Sequence, residues 1–253
     1  MLKIQSDEPL AVAAVEAIRS GRVEALSRLL QANPGLAAAR ILESGKGGGS
    51  PAASRSLLHI ATDWPGNFPN SAETISTLIQ HGAEVNARFE GKHAETPLHW
   101  AASTDDVAAL DALLDHGADI EAPGAVIGGG GPLADAVAFG QWRAARRLVE
   151  HGARTTLWQA AALGLLERIE QRFDSGVSAQ ASAPTPGEVT QAFWCACHGG
   201  RLEAARYLLD RGADLDWVGY DALTPLDAAR RSGAEDLVAW LLSRGAKSAK
   251  KPS

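Results

Sequence analysis

Cysteine, long apolar runs and an excess of positive charge are scarce or lacking in this chain, and each shortage excludes a class of protein. The two cysteines, Cys195 and Cys197, are too few and too close in sequence to staple a fold. A disulfide scaffold is therefore excluded and a reducing compartment is expected. No run approaches the roughly 18 apolar residues of a membrane span. Residues 1–10 hold Asp7, Glu8 and Pro9 where a secretory leader would carry a basic region and an apolar core. With 24 Lys and Arg against 30 Asp and Glu, the formal net charge of −6 argues against general affinity for nucleic acid or an anionic membrane. The expectation is a soluble, cytoplasmic protein with neither nucleic acid nor membrane as a partner.

What the chain does contain is one small helical unit written several times. A small-Gly-Ala step recurs at Gly82, Gly117, Gly152, Gly212 and Gly245, with a variant at Gly176. Most spacings lie between 33 and 36 residues, and Gly152 to Gly176 is 24. An apolar stretch of helical period precedes each step. In the clearest copy Thr96 is placed to cap a helix with Pro97 in its first turn, where a missing N–H costs nothing. Leu98, Ala101 and Ala102 share one face, and the two alanines allow a neighbouring helix to approach closely. Val107, Leu110, Leu113 and Leu114 form the buried stripe of a second helix, which Gly117 ends. A period in this range marks a solenoid of stacked helix pairs.

The segment from Thr96-Pro97-Leu98-His99-Trp100-Ala101-Ala102 to His116-Gly117-Ala118-Asp119-Ile120 resembles an ankyrin repeat. The same frame returns at Leu57-Leu58-His59-Ile60-Ala61, at Gly131-Pro132-Leu133-Ala134-Asp135-Ala136 and at Thr224-Pro225-Leu226-Asp227-Ala228-Ala229. Two degenerate copies start at Leu157-Trp158-Gln159-Ala160, which has lost its preceding hairpin, and at Phe193-Trp194-Cys195-Ala196. The resemblance implies an all-α ankyrin-repeat solenoid, with stacked helix pairs joined by short β-hairpins, of about seven repeats. The expected organisation is a single domain over 1–253. Residues 1–40 are a capping repeat, 41–55 a Gly/Ser-rich loop, 56–246 irregular repeats and 247–253 a basic tail.

Four segments break the regular length. Residues 44–50, Ser-Gly-Lys-Gly-Gly-Gly-Ser, lack the spacing of a phosphate loop and read as flexible linker. Residues 63–70 form a turn-rich insertion between two helices, with Trp64 and Phe68 as apolar anchors. Residues 123–131 enlarge a hairpin with glycine, where backbone can approach a ligand. Residues 217–221 set Trp217 and Tyr220 on a hairpin tip. In ankyrin proteins the hairpin tips and the residues after the paired alanines line the face that binds partners. The resemblance thus nominates Asp63, Trp64, Ser103, Thr104, Phe139, Leu163 and His198, and the hairpins add Arg88, Phe89, Trp217 and Tyr220. Phe68, Trp100 and Asp135 complete the candidate set.

The implied function is non-catalytic recognition of a protein partner, with no cofactor and no metal. His59 and His99 sit where ankyrin histidines hydrogen-bond backbone between repeats, and His81, His116 and His151 sit at helix ends, where imidazole meets the negative end of the dipole. Cys195, Cys197 and His198 do not make a metal set, because side chains two apart on a helix point about 200° apart. Buried thiols are usually inert. Trp158 and Trp194 are read as replacing the motif histidine. An alternative stays open: if Asp63, Asp135 and His198 lined a tryptophan-walled groove formed by the irregular loops, the pocket would bind a small molecule or supply a general acid or base.

Overall fold

The first helix of a repeat begins where a hydroxyl residue is followed, three positions on, by a side chain able to reach back. The hydroxyl accepts from the third N–H of the helix and the later side chain accepts from the N–H of the cap residue, so two otherwise open donors are satisfied. Ser56 with His59, Thr96 with His99, Thr156 with Gln159, Thr185 with Glu188, and Thr224 with Asp227 form such pairs. The copy at Gly131 has no hydroxyl and no such pair.

A computed structural model describes residues 2–43, 53–174 and 183–249, which fall into two compact units, Met1–Ala153 and Arg154–Ser253. The expected Gly/Ser linker at 44–50, the variant Gly176, and Lys250 and Lys251 of the expected basic tail lie outside the described residues. The first unit runs β1 (Lys3–Gln5), α1 (Pro9–Arg19), α2 (Val23–Ala32), β2 (Arg40–Leu42), β3 (Ser54–Ser56), α3 (Leu57–Thr62), α4 (Ser71–Gln80), α5 (Pro97–Ser103), α6 (Val107–Asp115), α7 (Pro132–Ala138) and α8 (Trp142–Glu150). First helices α1, α3, α5 and α7 pack in one row and second helices α2, α4, α6 and α8 in another. Between the rows lie Leu58, Leu98, Leu110 and Leu113, all fully buried, each contributing roughly 2–3 kcal/mol on the scale of apolar area removed from water. Ala101 and Ala102 are equally buried and keep the row tight. Gly117 ends α6 at φ +85°, and the Ala118 N–H then donates back to the Leu113 carbonyl at 2.9 Å, closing the turn.

The second unit runs α9 (Leu157–Leu163), α10 (Leu166–Phe173), α11 (Pro186–His198), α12 (Leu202–Leu209), α13 (Pro225–Arg231) and α14 (Glu235–Ser243). Here α9, α11 and α13 are the packed first helices. The α9 repeat starts five residues after Gly152, as expected for a unit without its hairpin.

Three local features differ from the sequence reading. A three-stranded sheet joins β1 to β2 in parallel and β2 to β3 antiparallel, with Ile4 opposite Ile41 and Ile41 opposite Arg55. Its strands are three residues long and 35 positions separate the first two, too little pattern for a periodicity to register. Helix α11 begins at Pro186, seven residues before the degenerate motif, because Thr185 and Glu188 supply the cap. Gln159, not Trp158, holds the histidine position of α9: it accepts from the Thr156 N–H at 2.8 Å. Trp194 does substitute for the histidine, since its indole N–H donates to the Leu223 carbonyl just before the next cap residue, at 2.9 Å.

Candidate functional site

His59 and His99 set the floor on which the candidate surface stands. In each ring Nδ1 accepts from the cap residue's N–H and Nε2 donates to the carbonyl just before the next repeat, Glu95 at 3.1 Å and Gly130 at 3.3 Å. A neutral imidazole meets both demands and a protonated one does not. Burial accordingly lowers His59 to about 3 and His99 to about 4. The Trp100 ring stands edge-on to His59 at 4.9 Å and tilted against Phe89 at 5.4 Å.

Above this floor lies an open groove of about 430 Å³. Trp64 and Phe139 stand on it as exposed aromatics, 78% and 48% exposed, while Trp100 is half-buried. Asp63, Ser103 and Thr104 also line it, and so do Thr62, Glu95 and Gln141, which sequence reasoning missed. Glu95 was legible only as the residue before Thr96. Its role depends on the hairpin bringing it to the groove.

The loop that presents Trp64 is held from both sides. The Asn67 N–H donates to the Asp106 carboxylate at 2.8 Å, the Asn67 amide to the Thr104 carbonyl at 3.2 Å and the Asn70 amide to the Gly21 carbonyl at 3.0 Å. Gly66 lies so close to Thr104 that a Cβ there would come within 2.5 Å of it. Hydrogen bonds fasten the loop; of its two expected apolar anchors Phe68 is half-buried, while the Trp64 indole faces solvent, on the surface for which it was nominated.

Asp63 accepts from Arg55 at 2.7 Å and from Arg19 at 3.1 Å. Glu95 forms no ion pair among the described residues. Burial raises its carboxyl, and the neighbouring Trp100 indole works in the opposite direction. Arg88 is committed to the Ala94 carbonyl at 2.9 Å and to that of Pro123, and Phe89 packs beneath Trp100.

Asp135 is a correction. It is fully buried, and its carboxylate accepts from the N–H groups of Val126 and Ile127 at 3.4 and 3.3 Å. It thereby caps the glycine-rich hairpin whose repeat lacks a capping pair, so two N–H groups of the segment where backbone was expected to approach a ligand are used internally. Burial raises it to about 6, with Glu95 adding to the rise. Of Asp63, Asp135 and His198, only Asp63 lines the groove.

In the second unit Leu163 is also a correction: at 8% exposure it offers nothing to a partner. His198 stacks on Trp194 at 5.6 Å, and Tyr220 stands edge-on to Trp194 at 5.1 Å and to Trp217 at 6.1 Å. Burial pushes the Cys195 thiol up to about 12 and raises Cys197 as well, which removes thiolate chemistry at neutral pH. Among the described residues no three His, Cys, Asp or Glu are placed to hold a metal, and no helix is long and apolar enough to cross a membrane.

Comparison with known proteins agrees with the repeat geometry. The crystal structure of the human ASB11 ankyrin repeat domain matches with a TM-score of 0.50 at 22% identity, covering 92% of this chain and 97% of that one, a likeness of fold. Ankyrin repeat and KH domain-containing protein mask-1 of Caenorhabditis elegans is 38% identical over 52 residues, 21% of this chain, and the chain covers 2% of that protein. The family model for ankyrin repeats matches residues 58–159 and 157–251. With capping pairs, packed alanine rows and glycine-closed second helices in register with that match, the chain belongs to the ankyrin repeat family, whose repeats are generally protein–protein interaction modules.

Proposed function

We propose that this protein recognises a protein partner without catalysis, through the groove of the first unit, in the cytoplasm. The observation that carries the reading is Trp64, which is held 78% exposed by a loop whose own hydrogen bonds are satisfied. An indole in that setting adds little to folding and has much to give on binding, since aromatic anchors in preorganised surfaces carry most interface energy. Phe139 and the half-buried Trp100, which line the same groove, extend the apolar surface. Two free, buried cysteines suit a reducing compartment.

The test is site-specific photocrosslinking in the native lysate from position 139, with Glu73 on α4 as the control position. Polypeptide adducts from 139 that are absent from 73 and lost in Trp64→Ala support the reading. Adducts that form equally at both positions, or that survive Trp64→Ala, overturn it. A small-molecule adduct at 139 with no polypeptide would make the groove a ligand site instead. Trp64→Ala is expected to weaken partner binding by about 30-fold, equivalent to about 2 kcal/mol.

A further inference from the structure

The groove has one sign of charge. Its lining contains two carboxylates, Asp63 and Glu95, and no cation. Arg55 and Arg19 already neutralise Asp63, so its charge is largely spent. Glu95 is different: it is half-buried, it accepts a hydrogen bond from Trp100 but forms no ion pair among the described residues, and it lines the groove together with the exposed rings of Trp64 and Phe139. A carboxylate kept partly from water without a counter-ion is costly, and a cation delivered to it would recover that cost while lying over aromatic faces. A volume of about 430 Å³ exceeds one ammonium or guanidinium group and suits a side chain with its apolar neighbours.

We infer that the groove takes a basic peptide segment, with a lysine or arginine side chain entering between Trp64, Trp100 and Phe139 to meet Glu95. This rests on the groove reading above and adds the chemistry of the partner. Burial already raises Glu95, so a bound cation is expected to return it toward the ordinary carboxylate range.

The probe is a random dodecapeptide display library selected on the full chain and rescreened on Trp64→Ala, Glu95→Gln and Glu95→Lys. Neither Glu95 substitution removes the Glu95 carbonyl that accepts from His59 and from the Phe89 N–H, so these backbone contacts are kept. Peptides that need Trp64 are expected to carry Lys or Arg beside an apolar residue, to bind Glu95→Gln roughly tenfold more weakly, and to be replaced by acidic peptides on Glu95→Lys. Peptides that need Trp64 yet lack a basic residue, or bind Glu95→Gln unchanged, would overturn the inference and leave the groove reading standing. Binders indifferent to Trp64→Ala, or no binders at all, would overturn both.

Discussion

Replacing His99 by glutamine should exchange stability at neutral pH for stability in acid. The ring accepts at Nδ1 from Thr96 and donates at Nε2 to Gly130, so only its neutral form fits. Its folded value of about 4 lies below the ordinary 6.5. A group depressed in this way contributes stability that is present above pH 6.5 and is lost as the pH falls toward 4. The gap is worth about 3 kcal/mol in the repeat that contains α5. The protein supplies the replacement itself, because Gln159 fills the same place in the Thr156 capping pair. Glutamine reaches the cap N–H but not the Gly130 carbonyl, so His99→Gln should cost about 1 kcal/mol at pH 7.5. It should exceed wild type by about 2 kcal/mol at pH 4, with the two curves crossing near pH 6. Urea titrations between pH 4 and 7.5, read by pulsed hydrogen exchange of the α5 peptide, follow this repeat even where the array opens in parts. His59 still titrates in the variant, so its acid limb becomes shallower without vanishing. Parallel curves for the two proteins would refute the reasoning.

Asp135 should act in the opposite sense: its folded value of about 6 is raised above 3.8, so its contribution is full below pH 3.8 and is lost as the pH climbs through 6. Asp135→Asn should remove a fall of about 2.5 kcal/mol between pH 4 and 7 in the α7 peptide, and an unchanged slope would exclude the assignment. Gly199→Ala should lower the melting temperature sharply, because its Cβ would come within 1.9 Å of the Ala162 carbonyl and force α9 from α11, a cost of about 3 kcal/mol or more. Gly187→Ala, in the first turn of α11 with open space around it, should be neutral or stabilising by up to about 1 kcal/mol, and equal effects of the two changes would contradict the packing argument.

Much of the candidate surface could be read before any coordinates because a repeat frame transfers position. Asp63, Trp64, Ser103, Thr104 and Phe139 were nominated from the frame, Trp100 was added to them, and all line one groove. The frame misled at Leu163, which is buried, and the candidate set misled at Asp135, whose carboxylate is taken up by the N–H groups of Val126 and Ile127. The frame also misled at Trp158, where Gln159 one position later makes the cap bond.

The sequence by itself determined the repeat, the family and the ends of most helices, because those depend on contacts within three or four positions: a hydroxyl and its reaching partner, a proline in the first turn, a glycine in the left-handed region. Only the tertiary structure decided the parallel pairing of β1 with β2, the hydrogen bonds that hold the Trp64 loop, the inward carboxylate of Asp135 and the arrival of Glu95 at the groove. Each depends on the three-dimensional placement of loops and on groups far apart in the chain, such as Lys3 with Arg40 or Asn67 with Asp106. No local pattern encodes such a meeting, because it is set by how the loops settle on repeats that are already packed.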